Sequence, residues 1–421
     1  MLTNLSMIKI KSVVKSYWGE LVYIFSNSYA LVFSMVSSVV ATAFIDPSDM
    51  GVIQTLLLIQ TYLQFLHLGV FNGLNRNLAY YKAKNENALV QDMVNTTYSV
   101  SFVVAFIGAI VALGFGVYFI IQGRSIVFIW SSVLLLVTLV FQPIVNAIDT
   151  TFRSGQEFKK LGVIKNVETT IHAVLSFLPI VIGYIGKIIA DSTRLILGLF
   201  LRYPKMPYKR TGNGSKSSLV LLLQTGFPIL LTSYVWSVFM ACDRTFIARY
   251  MSSYEMGLYS LSNYVIMAVM AVPQSVNALL YPKAATRYGT TGNIHSLKVF
   301  WKKSLLIYSI MLVPICVILY FLIPSFTTHF MPKYIGGIKA AQYSLLTCIT
   351  FVAQGPGVIF GTLRRNGAYL AVGVVSVVLF WVIAISFRSF FNTIEHVALL
   401  RFALSIINMF FVLLLTYKYI K

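Results

Sequence analysis

Arg202–Ser218 reads RYPKMPYKRTGNGSKSS, with five basic residues among Pro, Gly and Ser, near the middle of a 421-residue chain. Charge and helix-breaking residues keep such a stretch out of hydrocarbon and mark it as a connection between larger units. Working outward from it, six long apolar runs precede it (21–45, 52–72, 97–121, 126–148, 161–183 and 185–201) and six follow (219–242, 256–280, 305–323, 338–360, 368–387 and 396–417). Most reach the roughly 20 residues that an α-helix needs to cross about 30 Å of lipid. Inside lipid every backbone N–H and C=O must be satisfied within the segment, so runs of this kind are helices. The expectation is an all-α, polytopic membrane protein with twelve transmembrane helices in two six-helix lobes. Residues 1–201 form the first lobe, 202–218 a cytoplasmic linker and 219–421 the second lobe.

Composition agrees. The chain is 58% hydrophobic and 11% charged, with a mean hydropathy of +0.79, which excludes a soluble globular domain. A net charge of +21 would suggest nucleic acid in a soluble protein. Here the loops alternate between rich and poor in Lys and Arg, and 23 of the 33 basic residues fall on one side if the N-terminus is cytoplasmic. That bias places both termini in the cytoplasm and assigns the charge to anionic lipid head groups. Nucleic acid is not needed to explain it. Cys242, Cys316 and Cys348 lie in or at the ends of the apolar runs and imply no disulfide framework. Ala41-Thr42-Ala43 imitates a signal-peptidase site, but the preceding run exceeds the roughly 7–15 residues of a signal h-region, so this helix is expected to be retained.

The two halves carry a thin internal echo. Asp49-Met50-Gly51, after the first run, returns 206 positions later as Glu255-Met256-Gly257, after the seventh. Its equal place in halves of equal helix count favours duplication, with repeats about an axis along the membrane normal and a pathway between them. On the first run Asn27, Leu31, Ser34 and Ser38 share a helix face, and the same offset gives Ser233, Ser237, Met240 and Arg244. Small polar residues on such faces serve close helix packing, or these equivalent faces look into a hydrated cavity.

No phosphate loop, metal-ligand cluster or nucleophile elbow is present. No cofactor or metal is expected, and the protein is read as a transporter rather than an enzyme. Intramembrane ionisable residues are then the functional candidates, each costing roughly 2.5–3.5 kcal/mol at a helix centre. Lys187, Asp191 and Arg194 are spaced to stack as cation, anion and cation on one face of the sixth span, leaving one net positive charge, with Arg194 nearest mid-depth. The bland reading is a ladder that pins this helix to its neighbours. Arg401 lies near the start of the twelfth span, either in the path or snorkelling outward. Glu168 and His172 are i, i+4 on the fifth span and form a candidate proton-handling pair, or a hydrogen bond between helices. Asp243 is expected to pair with Arg244 at an outer gate. Arg76 and Lys283, at nearly repeat-equivalent cytoplasmic helix ends, either collect an anionic head group or serve as ordinary positive-inside anchors. Trp236 is placed to stack on sugar rings, although interfacial anchoring explains most aromatics equally well. Several cations and few unpaired acids suit an anionic substrate.

The segment GFPILLTSYVWSVFMACDRTFIARYMSSYEMGLYSLSNYV resembles bacterial O-antigen and capsular polysaccharide flippases, the Wzx-type exporters. The matching residues are Gly226-Phe227-Pro228, Asp243-Arg244 and Glu255 through Ser260. Leu68-Gly69 and Asn72-Gly73 resemble the family's opening. The resemblance implies a V-shaped bundle of two lobes alternating between inward and outward openings in the bacterial inner membrane. It implies an undecaprenyl-pyrophosphate-linked oligosaccharide as substrate, with a polysaccharide polymerase and a chain-length regulator as candidate partners. The ladder of the sixth span matches no motif of that family.

Two rivals remain at this level. A membrane polysaccharide polymerase or ligase needs a large outer loop, whereas the longest here, 243–255 and 324–337, do not exceed fourteen residues. A multidrug or metabolite antiporter of the same superfamily needs an unpaired acid deep in the first half, for which Glu168 is the fair candidate.

Overall fold

The computed structural model describes residues 26, 29, 30, 33–270, 273, 296–353 and 366–420. Among them the chain is helical and joined by short connections. In order the helices are α1 (Phe33–Ala43), α2 (Pro47–Leu63), α3 (Val70–Ala83), α4 (Asn87–Ile121), α5 (Ile126–Ser154), α6 (Phe158–Leu175), α7 (Pro179–Arg202), α8 (Lys216–Phe239), α9 (Cys242–Tyr250) and α10 (Ser253–Leu258). Helix α11 covers residues 260–270. Then come α12 (Ser296–Phe330), α13 (Ile338–Ile349), α14 (Asn366–Ser386) and α15 (Ile394–Ile420). Seven described helical segments are long and apolar enough to cross a membrane, and the bent pair α2–α3 makes an eighth. The protein is an all-α polytopic membrane protein, and the described helices are compatible with twelve crossings.

Outward faces identify the solvent. Helix α4 exposes Phe106, Ile110, Leu113, Val117 and Ile121, an apolar stripe that water would not tolerate but acyl chains cover. The three cysteines are buried and unbridged.

Several boundaries differ from the apolar runs. The second span begins at Pro47 and bends by 49° between its two parts. Leu68 (φ 47°) and Gly69 (φ 90°) are both left-handed there, which stops one helix and redirects the next. The fifth span ends at Leu175 rather than 183, and Pro179 opens α7. That helix is kinked at Ile182 and Gly183, where Gly183 takes φ 56°, a conformation that costs a residue with a Cβ. The seventh span stops at Phe239, so Arg244 lies on the separate helix α9 and not on the face of Ser233 and Ser237.

The echoed motif starts a helix in both halves. Asp46 caps α2 by accepting from the Ser48 N–H at 3.0 Å, with Pro47 in the first turn. Ser252 caps α10 in a reciprocal box with Glu255, at 2.8 and 3.3 Å. Asp49 and Glu255 therefore stand in the first turn of their helices, where a negative charge offsets the helix dipole.

These helix starts cross each other. A Cβ on Gly51 would overlap the Ser253 carbonyl oxygen, and one on Gly257 would overlap that of Pro47. Ile45 and Met50 of the first half enter the largest apolar core, otherwise built from second-half residues such as Phe246, Tyr259 and Leu345. Tyr334 Oη donates to the Ile45 carbonyl at 3.2 Å, and Thr42 bonds Tyr264 at 2.6 Å. Nearer the connecting segment, α3 lies against α8 in the same manner: Gly69 meets Gly226 and Gly73 meets Leu222, backbone against backbone. The seam between the halves is closed along α2–α3 at both levels.

Candidate functional site

Two clusters of charge lie inside the bundle. In the first half, Asp191 on α7 accepts from Lys187 Nζ at 2.9 Å and bonds His172 Nε2 on α6 at 2.8 Å. About three turns further along α7, Arg202 Nε donates to Asp149 Oδ1 of α5 at 2.6 Å, while its Nη1 donates to Glu168 Oε2 of α6 at 2.6 Å. Gly198 leaves room for this: a side chain there would press on Arg202 and Glu168. The other Glu168 oxygen faces Arg194 Nε at 3.7 Å. Lys187, Arg194 and Arg202 thus match Asp149, Glu168 and Asp191 one for one.

This corrects several expectations. The Lys187–Asp191 pair forms, and Arg194 faces Glu168 of α6 at 3.7 Å, so the third charge of the ladder has its own counter-charge. Glu168 and His172 do not pair with each other; each bonds across to α7, which is the alternative of a hydrogen bond between helices. Arg202, read as the first residue of the linker, is the buried last residue of α7. Asp149, left out of the candidates, is its partner. Both had a signal in the sequence: an acid at the end of one apolar run and a base at the end of another each require a counter-charge.

In the second half Asp243 is fully buried and accepts three donors: Tyr259 Oη at 2.6 Å, the Arg244 backbone N–H at 2.7 Å and the Arg401 guanidinium. Arg401 does not snorkel; it is 1% exposed, and its second nitrogen lies 2.9 Å from Met240 Sδ. The expected Asp243–Arg244 pair is corrected accordingly, since Arg401 from α15 takes the carboxylate and Arg244 contributes only its backbone.

That leaves Arg244 alone. Its side chain is half-buried at the seam, and its Nε is buried without a hydrogen-bond partner. It makes no ion pair among the described residues. Next to it Thr245 bonds Tyr62 of α2, and Tyr234 Oη donates to the Tyr62 carbonyl at 3.2 Å. Arg76 is exposed on α3, far from either cluster in sequence and without an ion pair among the described residues. Lys283, Asn27 and Leu31 lie outside the described residues.

A family model described as polysaccharide biosynthesis protein matches residues 40–331. The chain belongs to that family. Solved structures share the fold of this polysaccharide biosynthesis protein at low identity. An inward-facing multidrug resistance MATE family transporter of the MOP superfamily aligns with a TM-score of 0.69 at 11% identity, covering 94% of this chain and 95% of that one. The outward-facing form aligns with a TM-score of 0.65 at 11% identity, over 95% and 96%. A MOP superfamily transporter from Pyrococcus furiosus, described as having a binding pocket of reverse polarity, gives 0.67 at 12% identity over 96% of both chains. No curated protein matches the sequence. This member of the polysaccharide biosynthesis family shares the fold of those proteins.

Proposed function

We propose that the protein is a flippase that moves an undecaprenyl-pyrophosphate-linked oligosaccharide across the bacterial inner membrane by alternating access of its two halves. The observation that carries this reading is Arg244. Lys187, Arg194, Arg202 and Arg401 each face a carboxylate, whereas Arg244 is a half-buried guanidinium at the seam with no ion pair among the described residues. Its planar fork pairs two phosphate oxygens and stays charged at any working pH. Pyrophosphate brought into the seam exchanges hydration for a charge already held in place by the fold. Arg194, half-exposed on α7 and only loosely bound to Glu168, is a second contact.

An apolar groove of 560 Å³ supports a lipid-linked substrate. It is lined by Met35, Val39 and Phe44 from the first half and by Val265, Leu322 and Phe326 from the second. A polyprenyl chain keeps to such a surface while the head group passes between the halves. The basic connecting segment is assigned to the cytoplasm, as are both termini. Deep acids argue against the drug-antiporter reading: Asp149, Glu168, Asp191 and Asp243 are all ion-paired, which leaves none of them free for a cation.

Purified protein in proteoliposomes loaded with a fluorescent undecaprenyl-pyrophosphoryl disaccharide tests the proposal. Transbilayer movement above that of protein-free vesicles is expected, together with lipid-linked glycan stranded on the inner leaflet of a deletion strain. Drug efflux without glycan movement would reject it.

A further inference from the structure

A cavity of 330 Å³ lies within the second half, between α8, α14 and α15, inside the size range of small-molecule sites. Trp236, Met240, Phe351, Tyr369, Ser405 and Asn408 line it, and none of the described wall residues is charged. The wall combines ring surfaces with hydroxyl and amide groups. Trp236 and Tyr369 lie with ring centroids 5.0 Å apart at 31°, forming one aromatic side. On the α15 side, Asn408 is held by its amide donating to Ser376 Oγ at 2.7 Å. Ser405 is 4% exposed, and its Oγ and the Trp236 indole nitrogen are buried with no hydrogen-bond partner among the described residues. Buried polar groups left unpaired are costly, and their persistence in a cavity wall marks a place where a ligand supplies the missing bonds.

Position narrows the ligand. Arg401, Ser405 and Asn408 follow i, i+4, i+7 spacing and share one face of α15. Met240 touches both features: it lines the cavity, and its sulfur lies against Arg401. One helical turn, about 5.4 Å, therefore separates the Asp243–Arg401 pair beside Arg244 from the cavity wall. The wall suits a neutral group with an apolar face and hydroxyls, and on the flippase reading such a group follows the anion assigned to Arg244.

We propose that this cavity receives the sugar ring attached to the pyrophosphate, with its C–H face toward the Trp236–Tyr369 side and its hydroxyls toward Ser405 and Trp236 Nε1. The proposal rests on the flippase reading and deepens it: the pocket makes the protein select glycosylated carrier over bare carrier.

Native mass spectrometry of the full-length protein with two probes tests this, undecaprenyl pyrophosphate and the same lipid bearing one N-acetylhexosamine. The glycosylated probe is expected to bind roughly ten-fold tighter, the worth of one to two hydrogen bonds. Ser405→Ala should cut that advantage about three-fold or more without lowering the melting temperature, since it deletes a hydroxyl that bonds nothing among the described residues. Trp236→Phe should do the same while keeping a ring in place. Equal binding of both probes to the wild type, or an unchanged advantage in both variants, overturns the pocket but leaves the flippase reading standing. Binding of neither probe removes that reading and the pocket with it.

Discussion

Gly51 and Gly257 meet backbone to backbone across the seam between the two halves, each on the first turns of a helix whose partner crosses at the same spot. They are the third residues of the echoed acid-Met-Gly motif. The motif thus encodes a helix start, through Asp49 and Glu255, and a crossing point one turn later. The acids serve the helix ends and the glycines serve the contact between halves.

Replacing Gly257 by Val therefore wedges the seam open. Overpacking of this kind costs about 1–3 kcal/mol, and here the strain falls on the closed arrangement of the halves. We expect a lower melting temperature in detergent and a loss of surface polysaccharide at normal membrane abundance. Unchanged melting and export would show that the crossing is not held this closely in the membrane.

Arg244→Ala should reduce glycan translocation by roughly ten-fold or more, as expected for loss of a charge-assisted contact. Its melting temperature should not fall, because Arg244 holds no carboxylate. Arg244→Lys should retain part of the activity, since an ammonium keeps the charge but not the bidentate fork. Arg194→Ala, which frees only one distant Glu168 contact at 3.7 Å, should cost less. Full transport by Arg244→Ala in the vesicle assay would remove this residue from the mechanism.

Asp243 and Arg401 form a different kind of pair, buried and mutually dependent. Asp243→Asn leaves Arg401 charged and unmatched, a loss of about 3–5 kcal/mol. The double change Asp243→Asn with Arg401→Met should recover much of that stability. Thermal melts of the two single variants and the double one measure the coupling. Additive losses would show that the residues do not stabilise one another.

Arg202→Leu should be the most damaging change in the first half. It strands both Asp149 and Glu168, which each depend on that guanidinium at 2.6 Å. We expect little protein in the membrane fraction. Adding Asp149→Asn and Glu168→Gln should restore abundance, read by immunoblot; failure to do so while the variant still inserts would point to a packing role for the Arg202 stem instead.

The apolar runs made the all-α, membrane-spanning character of the chain legible in the sequence, because hydrophobic length acts locally along the chain. Helix ends were legible only within several residues. The stop at Leu175 and the break at Gly69 depend on Pro179 and on left-handed backbone, which an apolar run does not reveal.

Pairing of charges was a different matter. By itself the sequence determined that several ionisable groups must enter the bilayer and must find partners, since burial of a lone charge is expensive anywhere in lipid. Tertiary structure alone decided which partners: His172 took Asp191, Glu168 took Arg202, and Asp243 took Arg401 from 158 positions away. The reason is that electrostatic attraction falls with distance in space, and helix packing sets that distance without regard to spacing in the chain. The same packing left Arg244 without an ion pair among the described residues.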